Sequence, residues 1–120
     1  MLSGVIVVMY SRLLIEIGFG VDLVGEDVHA SIERAIHDIV HRVYIPFFRE
    51  KGISFEEAEV IVDIYTPYPE RVEEARVANM LPVKPGHIIV NKHRGGALIK
   101  GLNNILVSIV ALTIKVPDKC

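Results

Sequence analysis

The chain has 120 residues, 51% of them hydrophobic and 23% charged, which is one domain's length with ample apolar side chain for a core and excludes general disorder. Lys and Arg number 13 against 15 Asp and Glu, a formal charge of -2 with the basic residues scattered, so no broad field exists to hold a polyanion and nucleic acid is excluded as a partner. The single cysteine, Cys120, excludes an internal disulfide and a cysteine metal cluster and fits a reducing, cytoplasmic setting.

Residues 1–10 are apolar but lack a basic leader, and Arg12 and Glu16 interrupt the run well short of a membrane span. The run 105–114 is also too short, so the sequence is read as soluble, with no targeting segment and no membrane partner. Glutamine and tryptophan are absent while Ile and Val abound, a composition that leans towards a thermophilic source.

Taken in order, residues 4–17 are rich in Val, Ile and Leu and read as one bent strand or two, broken at Ser11 and Arg12. Residues 1–8 are read as an N-terminal extension of a single domain spanning 1–120. The strand runs into a glycine-rich loop at Gly18, Gly20, Asp22 and Gly25, and Asp27 is a good N-cap for a following helix. Apolar residues then recur at Val28, Ile32, Ala35, Ile36, Ile39, Val40 and Val43, a helical stripe that Pro46 is expected to end.

After a surface connection over 47–55, residues 59–65 (EVIVDIY) read as a buried strand. A turn at Thr66-Pro67-Tyr68-Pro69 opens a second helix whose inner face is Val72, Ala75, Ala78 and Leu81, with Glu70, Glu73 and Glu74 at its positive end and Pro82 as its stop. Residues 87–92 form a third strand, Arg94-Gly95-Gly96 a turn, 97–102 a flank, and 105–116 a long fourth strand. The fold class is α+β, in the order β-α-β-α-β-β, as a two-layer sandwich. The fourth strand is apolar at nearly every position, so both faces want cover, yet two helices cover only one. The other face is expected to bury against further copies of the chain in a homo-oligomer, as a closed ring, the bland alternative being a tightly covered monomer with a long central strand.

Three constellations are candidates for chemistry. The glycine loop lacks the third glycine of a dinucleotide fingerprint, and Asp22, Glu26 and Asp27 would repel a phosphate. Its acidity suits a cation, an amine or amide, or the donors of a neutral ring, with Glu16 joining if it faces the same way. The bland alternative is a turn whose Asp22 and Asp27 only cap backbone amides. Along the first helix, His29, His37 and His41 recur with Glu33 at four-residue steps, and a histidine pair at that spacing can chelate a metal. A four-residue step advances 400°, so the row drifts onto the wet face and a solvated surface is favoured over a metal site. His29, beside the glycine loop, is instead an acid or base candidate or a simple flank residue. The third patch, Lys92-His93-Arg94-Gly95-Gly96 with Lys100, is either a solvated hairpin end or a basic turn that reaches a neighbour's acidic loop. Tyr65 and Tyr68, beside two prolines, supply a ring wall and hydroxyls to a pocket at the strand end or pack on the second helix.

The string IEIGFGVDLVGEDV resembles a family of uncharacterised bacterial and plant proteins of similar length whose N-terminal hallmark is GxGxDxHG before a Q-D-V helix start. Gly18, Gly20, Asp22 and Gly25 match that hallmark and Asp27-Val28 the helix start, while Val24 stands in place of the histidine and Glu26 in place of the glutamine. The likeness continues through Pro67, Pro69, Val72, the Gly95-Gly96 pair and the last strand, about 9–116 in all. It implies no activity. The element order also looks like the trimeric chorismate-mutase-like and YjgF-like folds, whose sites lie between subunits.

The leading expectation is therefore an oligomer, a trimer or a multiple of one, that binds a small polar metabolite at a subunit interface. If it is an enzyme, Asp22, His29 and Glu16 carry acid/base chemistry, while Gly18, Gly20, Gly25 and a neighbour's Arg94 bind substrate. No metal and no cofactor is assigned. The competing readings are a non-catalytic structural or regulatory assembly module and a metal-binding protein using His37 and His41.

Overall fold

The structure, a computed structural model, describes residues 10–52, 54–82 and 84–117. Five strands, β1 (Tyr10–Asp22), β2 (Glu59–Thr66), β3 (His87–Arg94), β4 (Ala97–Ile99) and β5 (Ile105–Pro117), form one mixed sheet in the order β1-β5-β2-β3, with β4 on β5 beyond the end of β2. The β2–β3 pair is parallel and the others antiparallel. One layer of helix, α1 (Val28–Ile39), α2 (Ile45–Lys51) and the single turn α3 (Glu74–Ala78), completes an α+β architecture. No helix among the described residues is long and apolar enough to cross a membrane.

Alternation in the strands decides what each face does. On β5 the side chains of Leu106, Ser108, Val110, Leu112, Ile114 and Val116 are buried, and on β2 those of Val60, Val62, Ile64 and Thr66. They meet Val28, Ile32, Ala35, Ile36 and Ile39 of α1, so the amphipathic stripe read from the sequence becomes the core. The opposite face carries Ile15, Ile17, Phe19 and Val21 of β1 at 48%, 49%, 64% and 36% exposure. It continues across Val107, Ile109 and Ala111 of β5 to Tyr65 of β2 and Ile89 of β3.

The expected elements change in four places. Gly18 and Gly20 are strand residues rather than loop residues, because β1 runs unbroken from a register shift at Arg12/Leu14 through them to Asp22, and only Gly25 stays in the loop. The part of the expected strand before residue 10, with the proposed extension 1–8, lies outside the described residues. Pro46 does not end the first helix: α1 passes through a π-helical turn, Val40–Tyr44, into α2, with the Ile45 N–H reaching back to the Val40 carbonyl. The wide turn absorbs the proline, and Gly52, at φ 63°, closes α2 instead. Tyr44 is fully buried there against Phe48 and Phe55, with ring centroids 5.0 and 5.7 Å away, and burial pushes its phenol up to about 12.

The expected second helix shrinks to a 3₁₀ turn, Pro69–Arg71, and α3. Between them Val72 and Glu73 are extended, and their backbone groups are held by side chains: the Glu73 N–H donates to His29 Nε2 at 3.0 Å and Lys92 Nζ donates to the Val72 carbonyl at 3.1 Å. Tertiary partners thereby replace the helical bonds that local propensity offered. Finally, β3 runs on to Arg94 and β4 replaces the first half of the expected flank.

What lets α1 lie so close to the sheet is the absence of side chain at Gly18 and Gly20. A Cβ on Gly18 would fall 2.6 Å from the Ala35 carbonyl oxygen, and one on Gly20 would fall 1.6 Å from that of Ser31. Gly20→Ala is expected to push the helix off the sheet and lower unfolding free energy by about 3 kcal/mol, the upper end for overpacking. Urea denaturation with an unchanged midpoint would contradict this close contact.

Candidate functional site

The loop that joins β1 to α1 is built around Asp22, the last residue of the strand and only 7% exposed. Its Oδ2 accepts from the Asp27 N–H at 2.8 Å and its Oδ1 from Arg34 Nη1 at 3.2 Å. Asp27 in turn caps α1, accepting from the Ala30 N–H at 3.1 Å. The chain turns between them through Gly25 at φ 87° and Glu26 at φ 50°, left-handed conformations that favour glycine at the first. Glu26 is held there by the Tyr68 hydroxyl, which donates to its carboxylate at 2.9 Å. That bond, with some burial, raises the Tyr68 pKa.

The other residues named from the sequence are dispersed. His29 is 7% exposed and serves as the acceptor that fixes the Glu73 N–H, so α1 is tied to the α3 segment through an imidazole nitrogen. Glu16 faces the helix layer like Asp22, but six residues along an extended strand place it roughly 20 Å away. Its partner is Arg42, at 3.0 Å. Arg42 also holds Asp38 at 3.1 Å, and these two carboxylates, Asp38 more than Glu16, raise its pKa. Arg94 donates to the Pro67 carbonyl at 2.7 Å and meets Glu70 at 3.4 Å, bracing the β2–α3 connection of its own chain. Gly18 and Gly20 lie under α1, whereas Gly25 is open on the loop surface. His37 and His41 touch, with ring centroids 4.2 Å apart on an exposed face, and no group of three or more metal-ligating side chains occurs among the described residues. Buried polar atoms nevertheless gather at this end of the core. Ser31 donates to the Val28 carbonyl and shares a 2.7 Å hydrogen bond with Ser108, while the fully buried Thr66 hydroxyl has no hydrogen-bond partner among the described residues.

Beside Asp22 a shallow hollow is lined by Val21, Leu23, Val24 and Arg34. Leu23 and Val24 are exposed next to it, at the rim of the apolar sheet face. A second polar group, not singled out in the sequence, lies on that outer face. Asp63 Oδ1 accepts from Asn91 Nδ2 at 3.1 Å and sits 3.0 Å from His93 Nε2, and the His93 ring stacks on Tyr65 with centroids 4.8 Å apart. Its signal lies in the alternation: Asp63 breaks the apolar run of β2, and Asn91 and His93 fall on the same face of β3.

A family model matches residues 12–113, most of the chain. The chain belongs to Lin0512_fam, a family of conserved hypothetical proteins. This family member is also similar, at 26% identity, to the crystal structure of an FtsZ-like protein of unknown function from Nostoc punctiforme. The TM-score is 0.77, and the match covers 92% of this chain and 99% of that one. No curated protein matches this member of the family.

Two outcomes test the roles read here. Asp22→Ala strips the acceptor from the Asp27 N–H and is expected to cost about 1–3 kcal/mol, whereas Asp22→Asn keeps an acceptor and costs under about 1 kcal/mol; chemical denaturation separates them. The wild-type protein is expected to be free of zinc and nickel on elemental analysis, and replacing His37 and His41 together by Ala is expected to leave the melting temperature within a degree or two, as suits surface residues.

Proposed function

We propose that this protein is an assembly module: its copies pack through the outer face of the sheet into a closed homo-oligomer, a trimer or a multiple of one. The arrangement would be chorismate-mutase-like or YjgF-like. The observation that supports this most strongly is the row Ile15, Ile17, Phe19 and Val21, exposed on one face and continued by β5, β2 and β3. Four strands by seven residues span roughly 15 by 20 Å, the size of the largest apolar patches that monomers expose, which are often functional. Charge on the edge strand β1 favours face over edge association. Arg34 and Arg42 donate to the carbonyls of Val21 and Ile17, at 2.5 and 3.3 Å, and place charge where another strand would pair.

A second reading keeps a ligand in view. The hollow beside Asp22 and Arg34 opens at the rim of that face, next to exposed Leu23 and Val24, so a neighbouring copy would close it around a small polar metabolite. Asp22 would be the main polar contact there, with acid/base chemistry if the assembly is an enzyme. Both Asp22 oxygens already have partners, which favours the module. The single cysteine suits a reducing cytoplasm for either.

Light scattering on purified protein at micromolar concentration is expected to give a trimer or a multiple, and a monomer would overturn the proposal. Phe19→Glu and Ile109→Lys, both on the outer face, are expected to yield folded lower-order species, since each puts a charge into the seam. Val110→Asp, on the buried face, is expected to unfold the chain instead.

A further inference from the structure

Away from Glu59, His87 and Lys115 at its far end, the outer face is interrupted by Asp63, Asn91 and His93, and that interruption has chemistry of its own. Asp63 is the one carboxylate among the pairs that join Ile61, Asp63 and Tyr65 of β2 to Thr113, Ala111 and Ile109 of β5. Its Oδ1 meets both polar neighbours, Asn91 at 3.1 Å and His93 at 3.0 Å. The pair is partly exposed, 25% for the Asp63 side chain and 43% for His93, so water now offsets much of its charge. Covering the face removes that water.

We infer that protonation of His93 tightens packing of copies of this chain through the outer sheet face, making the assembly stronger in mild acid. The inference rests on the face-to-face reading above. With neutral His93 the covered cluster carries the net charge of the Asp63 carboxylate into a seam of Ile, Phe and Val side chains. With His93 protonated it is an ion pair 3.0 Å apart with no net charge, stacked on Tyr65. Desolvating an unbalanced charge costs more than desolvating a hydrogen-bonded pair. Assembly therefore takes up protons, and it strengthens as pH falls through the range where imidazoles titrate.

Among the described residues, no other group facing this cluster competes for that role. On β2 the same face carries Glu59 and Tyr65, and on β3 it carries His87, which pairs with Glu59 six residues from His93, roughly 20 Å away. On β5 the facing charge is Lys115, opposite Glu59 at that same far end. The described outer positions of β1 from Ile15 onward and those of β4 are apolar. Lys92 and Arg94 are turned away, to the carbonyls of Val72 and Pro67.

Sedimentation equilibrium of the full chain at pH 8 and pH 6, with circular dichroism to confirm that it is folded at both, tests this. The wild-type dissociation constant is expected to fall about tenfold per subunit at pH 6, the change given by a one-unit difference in proton affinity. His93→Gln keeps a donor to Asp63 but cannot be protonated, and its constant is expected to be the same at both pH values. Asp63→Asn leaves a charged imidazole unpaired in the seam, so its assembly is expected to weaken in acid, the reverse of wild type. An oligomer whose constant is independent of pH, or a His93→Gln variant that keeps the wild-type trend, overturns this inference while leaving face-to-face assembly standing. A folded wild-type monomer at both pH values overturns the two together.

Discussion

The contact on which the rest of the structure depends is that between the backbone of β1 and the backbone of α1. Gly18 and Gly20 let the helix settle where any side chain would meet the carbonyls of Ala35 and Ser31. At that separation Ser31 reaches Ser108 on the neighbouring strand, and Arg34 reaches back to Val21 and Asp22. The loop between strand and helix is then short and fully specified. Asp22 holds its far end, Asp27 caps the helix, and Tyr68 pins the turn from the next layer of chain. A polar loop and a tight helix–sheet interface are thus one construction.

That construction also explains how the sequence misleads. Glycines two apart before an acidic residue suggest a cradle for a ligand, and close backbone approach is the correct physical idea. The approaching group is the protein's own helix. Nothing in the local string distinguishes the two, because the group that meets Gly20 is Ser31, and that partner is set by the packing of α1 across β1 and β5. The Asp27 cap, the α1 stripe and the strands at 59–65 and 105–116 are legible, since capping and periodicity are local. The second helix is not, because the backbone of Val72 and Glu73 is claimed by Lys92 and His29 from distant parts of the chain. Pro46 misleads for a related reason: a wider turn just ahead of it removes the clash that a uniform α-helix would suffer.

The two sides of the sheet divide the work of the chain. One is filled by a single helical layer and contains nearly all the buried apolar residues. The other carries an apolar row that no helix among the described residues covers, bounded by an arginine-guarded edge on β1, with the Asp63 cluster near β3 and Glu59, His87 and Lys115 at its far end. The candidate site at Asp22 lies at the junction of these sides rather than within either. Its carboxylate is a structural bond first, and any ligand there must work beside partners already in place.

The π turn at Val40–Tyr44 carries a consequence for how this segment tolerates change in length. It contains one residue more than an α-helical turn, and each residue in a helix rotates the downstream chain by about 100°. Losing a residue there would restore a regular helix upstream while swinging Phe48 away from Tyr44 and Phe55 and driving the Pro46 ring into the preceding turn. The extra residue therefore works as a phase adjuster: α2 keeps its angular register with the core only while it is present, so length in this stretch is constrained more tightly than side-chain identity.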